Sequence, residues 1–197
     1  DTSFTDSNFT NTNLYLDNLS EDTSFAGSDF SNSFYGNDSD GYAGLSYANN
    51  FSIPDDPDTF FDMANTKHIG SSFRLGYYRY TDFTGSDFTD ANLSGADFTG
   101  SDFTGAAFNN IQADNWAQMR YSTLTDATLN GSDVEMDFSY STGNNVDFNG
   151  TTGHLVVNDT SFTDSNFTNT NLYLDNLSED TSFAGSDFSN SFYGNDS

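Results

Sequence analysis

Residues 81–110 read TDFTG SDFTD ANLSG ADFTG SDFTG AAFNN, with a large apolar residue at every fifth position: Phe83, Phe88, Leu93, Phe98, Phe103 and Phe108. The residue two before each is small (Thr81, Ser86, Ala91, Ala96, Ser101, Ala106). The one just before is usually Asp or Asn, and the one just after is Thr, Ser or Asn. A period of five matches neither the 3.6 of a helix nor the 2 of a strand. The abundance of Gly, Asn, Asp, Ser and Thr further opposes a helix. One large apolar side chain per five residues must point at a shared axis, and the small residue two earlier points the same way. Gly, Asn and Asp between them supply turns. A short fixed period of this kind signals a solenoid whose coils pair through their backbones.

The same register recurs at Phe4, Phe9, Leu14 and Leu19, and at Phe73 leading into Phe83. It returns at Leu124 and Leu129, and again at Phe162 and Phe167; with the residues above, these form the expected core stack. The segments ANLSG (91–95), ADFTG (96–100) and SDFTG (101–105) resemble the pentapeptide-repeat family, whose motif is roughly A-(D/N)-L-X-X. The resemblance implies an all-β fold, a right-handed quadrilateral β-helix with four pentapeptides to a coil. It weakens at about 36–62, 109–118 and 150–156.

A longer repeat overlies the short one. Residues 1–39 and 159–197 are identical, so residues 1–158 read as one tandem unit and 159–197 as the start of the next, continuous with the first. At twenty residues to a coil and about 4.8 Å between coils, one unit spans roughly 35 Å. Pro54 and Pro57 fall in the largest interruption of the pattern, where proline's missing donor suits a loop. An inserted loop is expected at about 52–61.

The chain carries 30 acidic and 4 basic residues, a net charge of −26. The last 39 residues hold seven of the acids and no base, leaving one unit at −19. High charge with low hydrophobicity often means disorder, but fixed spacing of Phe has no use in a disordered chain. Asp far outnumbers Glu, which occurs only at Glu21, Glu135 and Glu179, so a structural slot selects Asp. With no cysteine there is no disulfide framework, and no apolar run approaches the roughly 20 residues of a membrane span. Such a polyanion repels nucleic acid backbones and anionic membranes and attracts divalent cations and basic partners. No cofactor is expected beyond calcium or another divalent ion at the acidic surface. Asp38 and Asp40 before Gly41, and Asp55, Asp56 and Asp58, are weak calcium candidates: the first group lacks the position-1 oxygen and the position-12 Glu of a calcium loop.

Lys67, His68, Arg74 and Arg79 fall within thirteen residues, and Arg120 stands alone. They are candidates for contacts with an acidic face of a neighbouring chain, or for charge balance within the solenoid. His68 occupies an inward register position, which favours burial. No phosphate loop, nucleophile elbow or His/Glu metal motif is present, so an enzyme is not expected. The many Asn-X-Ser/Thr sequons follow from the five-residue pattern itself, and their outward-facing positions leave some of them open to glycans outside the cell. Trp116 reads either as a plug in a distorted coil or as an exposed ring for stacking on a sugar.

These features suggest a structural segment of an extracellular filament, sheath or surface stalk, with other copies of the chain as its end-to-end and lateral partners. The alternatives are a spacer array in a surface adhesin, or an acidic rod that mimics DNA and binds a topoisomerase, as the family resemblance implies for some relatives.

Overall fold

A computed structural model describes residues 2–14, 23–35 and 61–194. Within them are β1 (Thr2–Ser3), β2 (Asn13–Leu14), β3 (Thr23–Ser24), β4 (Phe34–Tyr35), β5 (Phe61–Asp62), β6 (Thr81–Asp82) and β7 (Gln112–Gln118). Next come β8 (Asp133–Asp137), β9 (Thr142–Asn144), β10 (Thr152–Val156), β11 (Ser161–Thr163), β12 (Asn171–Asp175) and β13 (Phe192–Gly194). Every pairing between them is parallel, and there is no helix among the described residues.

Single backbone bridges join Asp82 to Asp102, Asp87 to Ala107, Asn92 to Gln112 and Asp97 to Gln118. The starting residues are five apart, and the fifth, Asp102, lies on the first. The coil therefore has four sides, and the chain is a quadrilateral β-helix. One column of bridges runs Asn8, Asp29, Lys67, Asp87, Ala107, Thr128, Asp147, Asn166, Asp187. Asn8 and Asn166 hold the same place in the two copies of the 39-residue sequence, and they stand in one column seven rungs apart. The long repeat is thus a whole number of coils. The column steps directly from Asp29 to Lys67. The expected loop at 52–61 lies outside the described residues.

The five-residue motif is a corner. The Ser86 amide donates to the Phe83 carbonyl at 3.0 Å, closing a turn whose third residue, Gly85, sits at φ 67°. Positive φ there favours Gly, Asn or Asp, and Asp90 and Asn110 take the same slot at 60° and 56°. Before the central residue, an Asp or Asn oxygen accepts the amide two residues on: Asp82 from Thr84 at 2.8 Å, Asn92 from Ser94 at 2.9 Å, Asp102 from Thr104 at 2.9 Å. Only a one-methylene side chain reaches back in this way, which explains the preference for Asp over Glu.

Phe73, Phe83, Phe88, Leu93, Phe98, Phe103, Phe108, Leu124, Leu129, Phe162 and Phe167 are buried in one continuous core, against which Phe4 and Phe9 are packed and partly buried. Leu14 lies in β2, and Leu19 lies outside the described residues. Rings stack from coil to coil: Phe83 on Phe103 at 5.3 Å, Phe88 on Phe108 at 4.8 Å, Phe148 on Phe167 at 4.6 Å. The small inward residue does more than fit. The Ser86 hydroxyl donates to the Met63 carbonyl of the adjacent coil at 2.9 Å and accepts the Thr66 amide at 3.0 Å. Ser101 bridges Tyr78 and Thr81 in the same way, at 2.9 and 3.1 Å. Thr151 and Thr160 bond the carbonyls of Leu129 and Phe138. These buried hydroxyls satisfy backbone groups that the corners leave unpaired.

Where the five-residue pattern weakens after 109 and after 150, the coil straightens instead of opening. β7, β8, β10 and β12 are its longest strands, and with β13 they form a sheet in the order β13-β12-β10-β8-β7. Ile111, Ala113, Ala117, Leu155 and Val157 carry the core through both stretches. At Gly153, φ is 121° and a Cβ would lie 2.0 Å from the Val134 carbonyl oxygen, so only glycine permits this approach of β10 to β8. The ladder continues past the sequence restart, with β11 on β9 and β12 on β10.

Candidate functional site in the basic residues and the groove at Trp116

The basic residues do not form one patch. His68 sits in the core at 0% exposure, stacked on Phe30 and Phe88, with Nε2 2.7 Å from the Thr66 hydroxyl. Burial pushes its pKa down to about 3, so the ring is neutral. The expectation that it reaches a neighbouring chain is corrected: its inward register position places it on the axis. Arg79 pairs with Asp97, Nε to Oδ2 at 2.6 Å, and this bond holds the guanidinium above its usual range. Arg120 repeats the arrangement with Asp137 at 2.5 Å. Both arginines balance charge between adjacent coils of the same chain. Lys67 and Arg74 are exposed, with Lys67 in the ladder between Asp29 and Asp87.

Asp38, Asp40, Asp55, Asp56 and Asp58 lie outside the described residues. Among the described residues no group of three or more His, Cys, Asp or Glu is placed to hold a metal ion, and no helix is long and apolar enough to cross a membrane.

A groove of about 700 Å³ crosses four coils on one side of the long-strand sheet. Its floor is the ladder row Gln118, Asp137, Val156, one residue from each successive strand. Trp116, Arg120, Tyr140, Asn158, Asn176 and Leu177 are among the other residues that line it. The register of β7 against β8 slips between Ala113 and Ala117. In that bulge Asn115 and Trp116 have φ of 61° and 54°, and the Asn115 amide donates to Glu135 Oε2 at 2.9 Å. A bulge re-aims the side chain it carries, and Trp116 is left 37% exposed. Its edge meets His154 at 6.3 Å, and His154 stacks on Tyr173 at 4.6 Å. Across the groove Tyr140 stacks on Tyr121 of the preceding coil at 4.8 Å. Of these residues, the sequence marks only Trp116 and Arg120. The signal for the tyrosines is their position: Tyr121 and Tyr140 occupy the positive-φ slot that Gly, Asn and Asp fill elsewhere.

Residues 79–111 match the family described as pentapeptide repeats, in eight copies. None of the curated proteins matches the chain. Among solved structures, the chain is similar to HetL, a pentapeptide repeat protein involved in heterocyst differentiation regulation from the cyanobacterium Nostoc sp. strain PCC 7120. The identity is 13%, over 96% of this chain and 86% of that one, with a TM-score of 0.39. It is also similar to trypsin-treated QnrB1, a plasmid-mediated fluoroquinolone resistance protein, at 16% identity over 98% and 92% with a TM-score of 0.31. The expectation that further copies of this chain are its end-to-end and lateral partners does not stand.

Proposed function

Because this chain is built of pentapeptide repeats wound into a quadrilateral β-helix, we propose that it serves as a rigid spacer. In this reading it is a stretch of an extracellular stalk whose tandem units stack within a single polypeptide. The observation that carries this reading is the shared column of Asn8 and Asn166. A repeat that equals a whole number of coils adds length without changing phase, so identical units extend one core and one ladder indefinitely. Seven rungs separate the two residues, so each unit adds roughly 34 Å. The turn-capping role of the Asp side chains accounts for the acidity through the fold, and the resulting charge keeps neighbouring rods apart in solution. No catalytic step belongs to this role.

Solution scattering from polypeptides of one, two and three units tests the proposal. A spacer gives a maximum dimension that grows by about 34 Å per unit at constant cross-section. A dimension that grows as a flexible chain, or units that fold back on each other, rules the spacer out.

A second reading, an acidic rod presented to a basic protein, draws on the column Asp62, Asp82, Asp102 on one side of the coil. Salt-sensitive capture of a DNA-binding protein, competed by duplex DNA, is its distinguishing result.

A further inference from the structure

The groove beside Trp116 differs in kind from the rest of the surface. On a chain of −26, its lining holds one cation and one anion, Arg120 and Asp137, and these are paired with each other. Seven large apolar residues are exposed among the described residues, and three of them, Trp116, Tyr140 and Leu177, line this groove. A fourth, Tyr121, backs Tyr140. Between the rings lie carboxamides, which both donate and accept: Gln118, Asn158 and Asn176. The Asn176 side chain makes no hydrogen bond among the described residues.

We propose that this groove binds a neutral oligosaccharide, with a pyranose ring stacked on Trp116 and its hydroxyls bonded by the amides and the Arg120–Asp137 pair. Aromatic faces take the C–H face of a sugar while planar amides and charged pairs take vicinal hydroxyls. The volume lies in the range of small-molecule sites. Charge selects among ligands. An anionic uronate or nucleotide is repelled by the surrounding polyanion, and a cationic peptide finds stronger attraction elsewhere on the rod. A neutral ligand loses nothing by the field and gains from the apolar rings exposed together along this groove. The backbone supplies an independent sign. A tryptophan at φ 54° is a strained arrangement for a bulky residue, and such strain gathers where a side chain is held for binding. A tryptophan that only plugged a coil would be buried.

Trp116 is the chain's single tryptophan, so its fluorescence reports on the groove alone. The 197-residue chain is titrated with cellohexaose, laminarihexaose and mannohexaose as neutral probes, with hexagalacturonate as the anionic probe and hexalysine as the cationic one. At least one neutral hexasaccharide should give a saturable fluorescence change, matched by calorimetric heat, while the charged probes give none. Tyr140→Ala, at an exposed ring, should weaken that binding about tenfold or more while the chain still unfolds in a single cooperative transition. Trp116→Ala should abolish the calorimetric signal. The proposal is overturned if every neutral probe binds more weakly than about 10 mM, if only a charged probe binds, or if binding survives both substitutions.

Discussion

His68 stacks on Phe88 with ring centroids 4.9 Å apart, and on Phe30 from the other side at 5.3 Å, so a titratable ring takes a place in a column of phenylalanines. Its pKa is about 3 folded and 6.5 when solvated, because burial penalises the charged form. Between these values the unfolded chain takes up a proton and the folded chain does not. The stability it allows is complete above about pH 6.5 and is lost as pH falls toward about 3, by roughly 1.4 kcal/mol per pH unit. In His68→Phe this contribution is absent. Urea unfolding at pH 7.5 and 4.5 should show the wild type losing roughly 2–3 kcal/mol more than the variant over that interval. Equal losses would show that His68 is solvated.

Tyr78 fills a phenylalanine slot, stacked on Phe98 at 5.1 Å, and its hydroxyl is buried without a partner among the described residues. Burial also raises its pKa, so the phenol stays neutral. An unsatisfied buried hydroxyl costs about 1–3 kcal/mol. Tyr78→Phe should therefore raise the urea midpoint, with a gain of about 1 kcal/mol. A loss of stability would mean the hydroxyl has a partner.

Ser101 joins two coils through the Tyr78 carbonyl and the Thr81 amide. Ser101→Ala leaves both without that partner and should cost about 1–2 kcal/mol. Ser101→Thr should cost little, since Thr151 and Thr160 make the equivalent bond in their own coils. If the two variants melt at the same temperature, the hydroxyl contributes nothing.

Asp102 accepts from both the amide and the hydroxyl of Thr104, at 2.9 and 2.7 Å. Asp102→Asn keeps the acceptor and removes a charge one rung from Asp82, so it should be neutral or stabilising. Asp102→Glu keeps the charge but misplaces the oxygen, and should cost about 1 kcal/mol. Thermal melts that rank Glu above Asn would assign the residue an electrostatic role instead of a turn-capping one.

The five-residue spacing carries most of the fold because each corner repeats the same local solution. Phe83 to Phe108 announce the core, and the excess of Asp over Glu announces the cap. The hydrogen bonds of Ser86 and Ser101 are not legible, because a small residue selected for size looks the same as one selected for its hydroxyl, and Ala91, Ala96 and Ala106 share the slot. Phe138 and Phe148 are ten residues apart with Gly143 between them. Val146 fills that space, and a Cβ on Gly143 would meet it at 2.5 Å, a long-range fit that no period reveals. The basic residues near 67–79 read as one cluster along the chain, but a five-residue turn sends His68 inward and Arg79 to Asp97 in the next coil. The groove arises from a bulge in β7 and from tyrosines four coil-sides apart, so only Trp116 hints at it.

Disulfide trapping across the sequence restart tests the stacked-coil spacer most directly. Asp147 and Asn166 are bridged on successive rungs, and Asp187 lies one rung further. Asp147→Cys with Asn166→Cys should close under mild oxidation in nearly all molecules, at unchanged hydrodynamic radius. Asp147→Cys with Asp187→Cys, about 9.6 Å apart, exceeds the reach of a disulfide and should stay reduced. Failure of the first pair to close, or closure of the second, would contradict a continuous coil through the restart and with it the spacer.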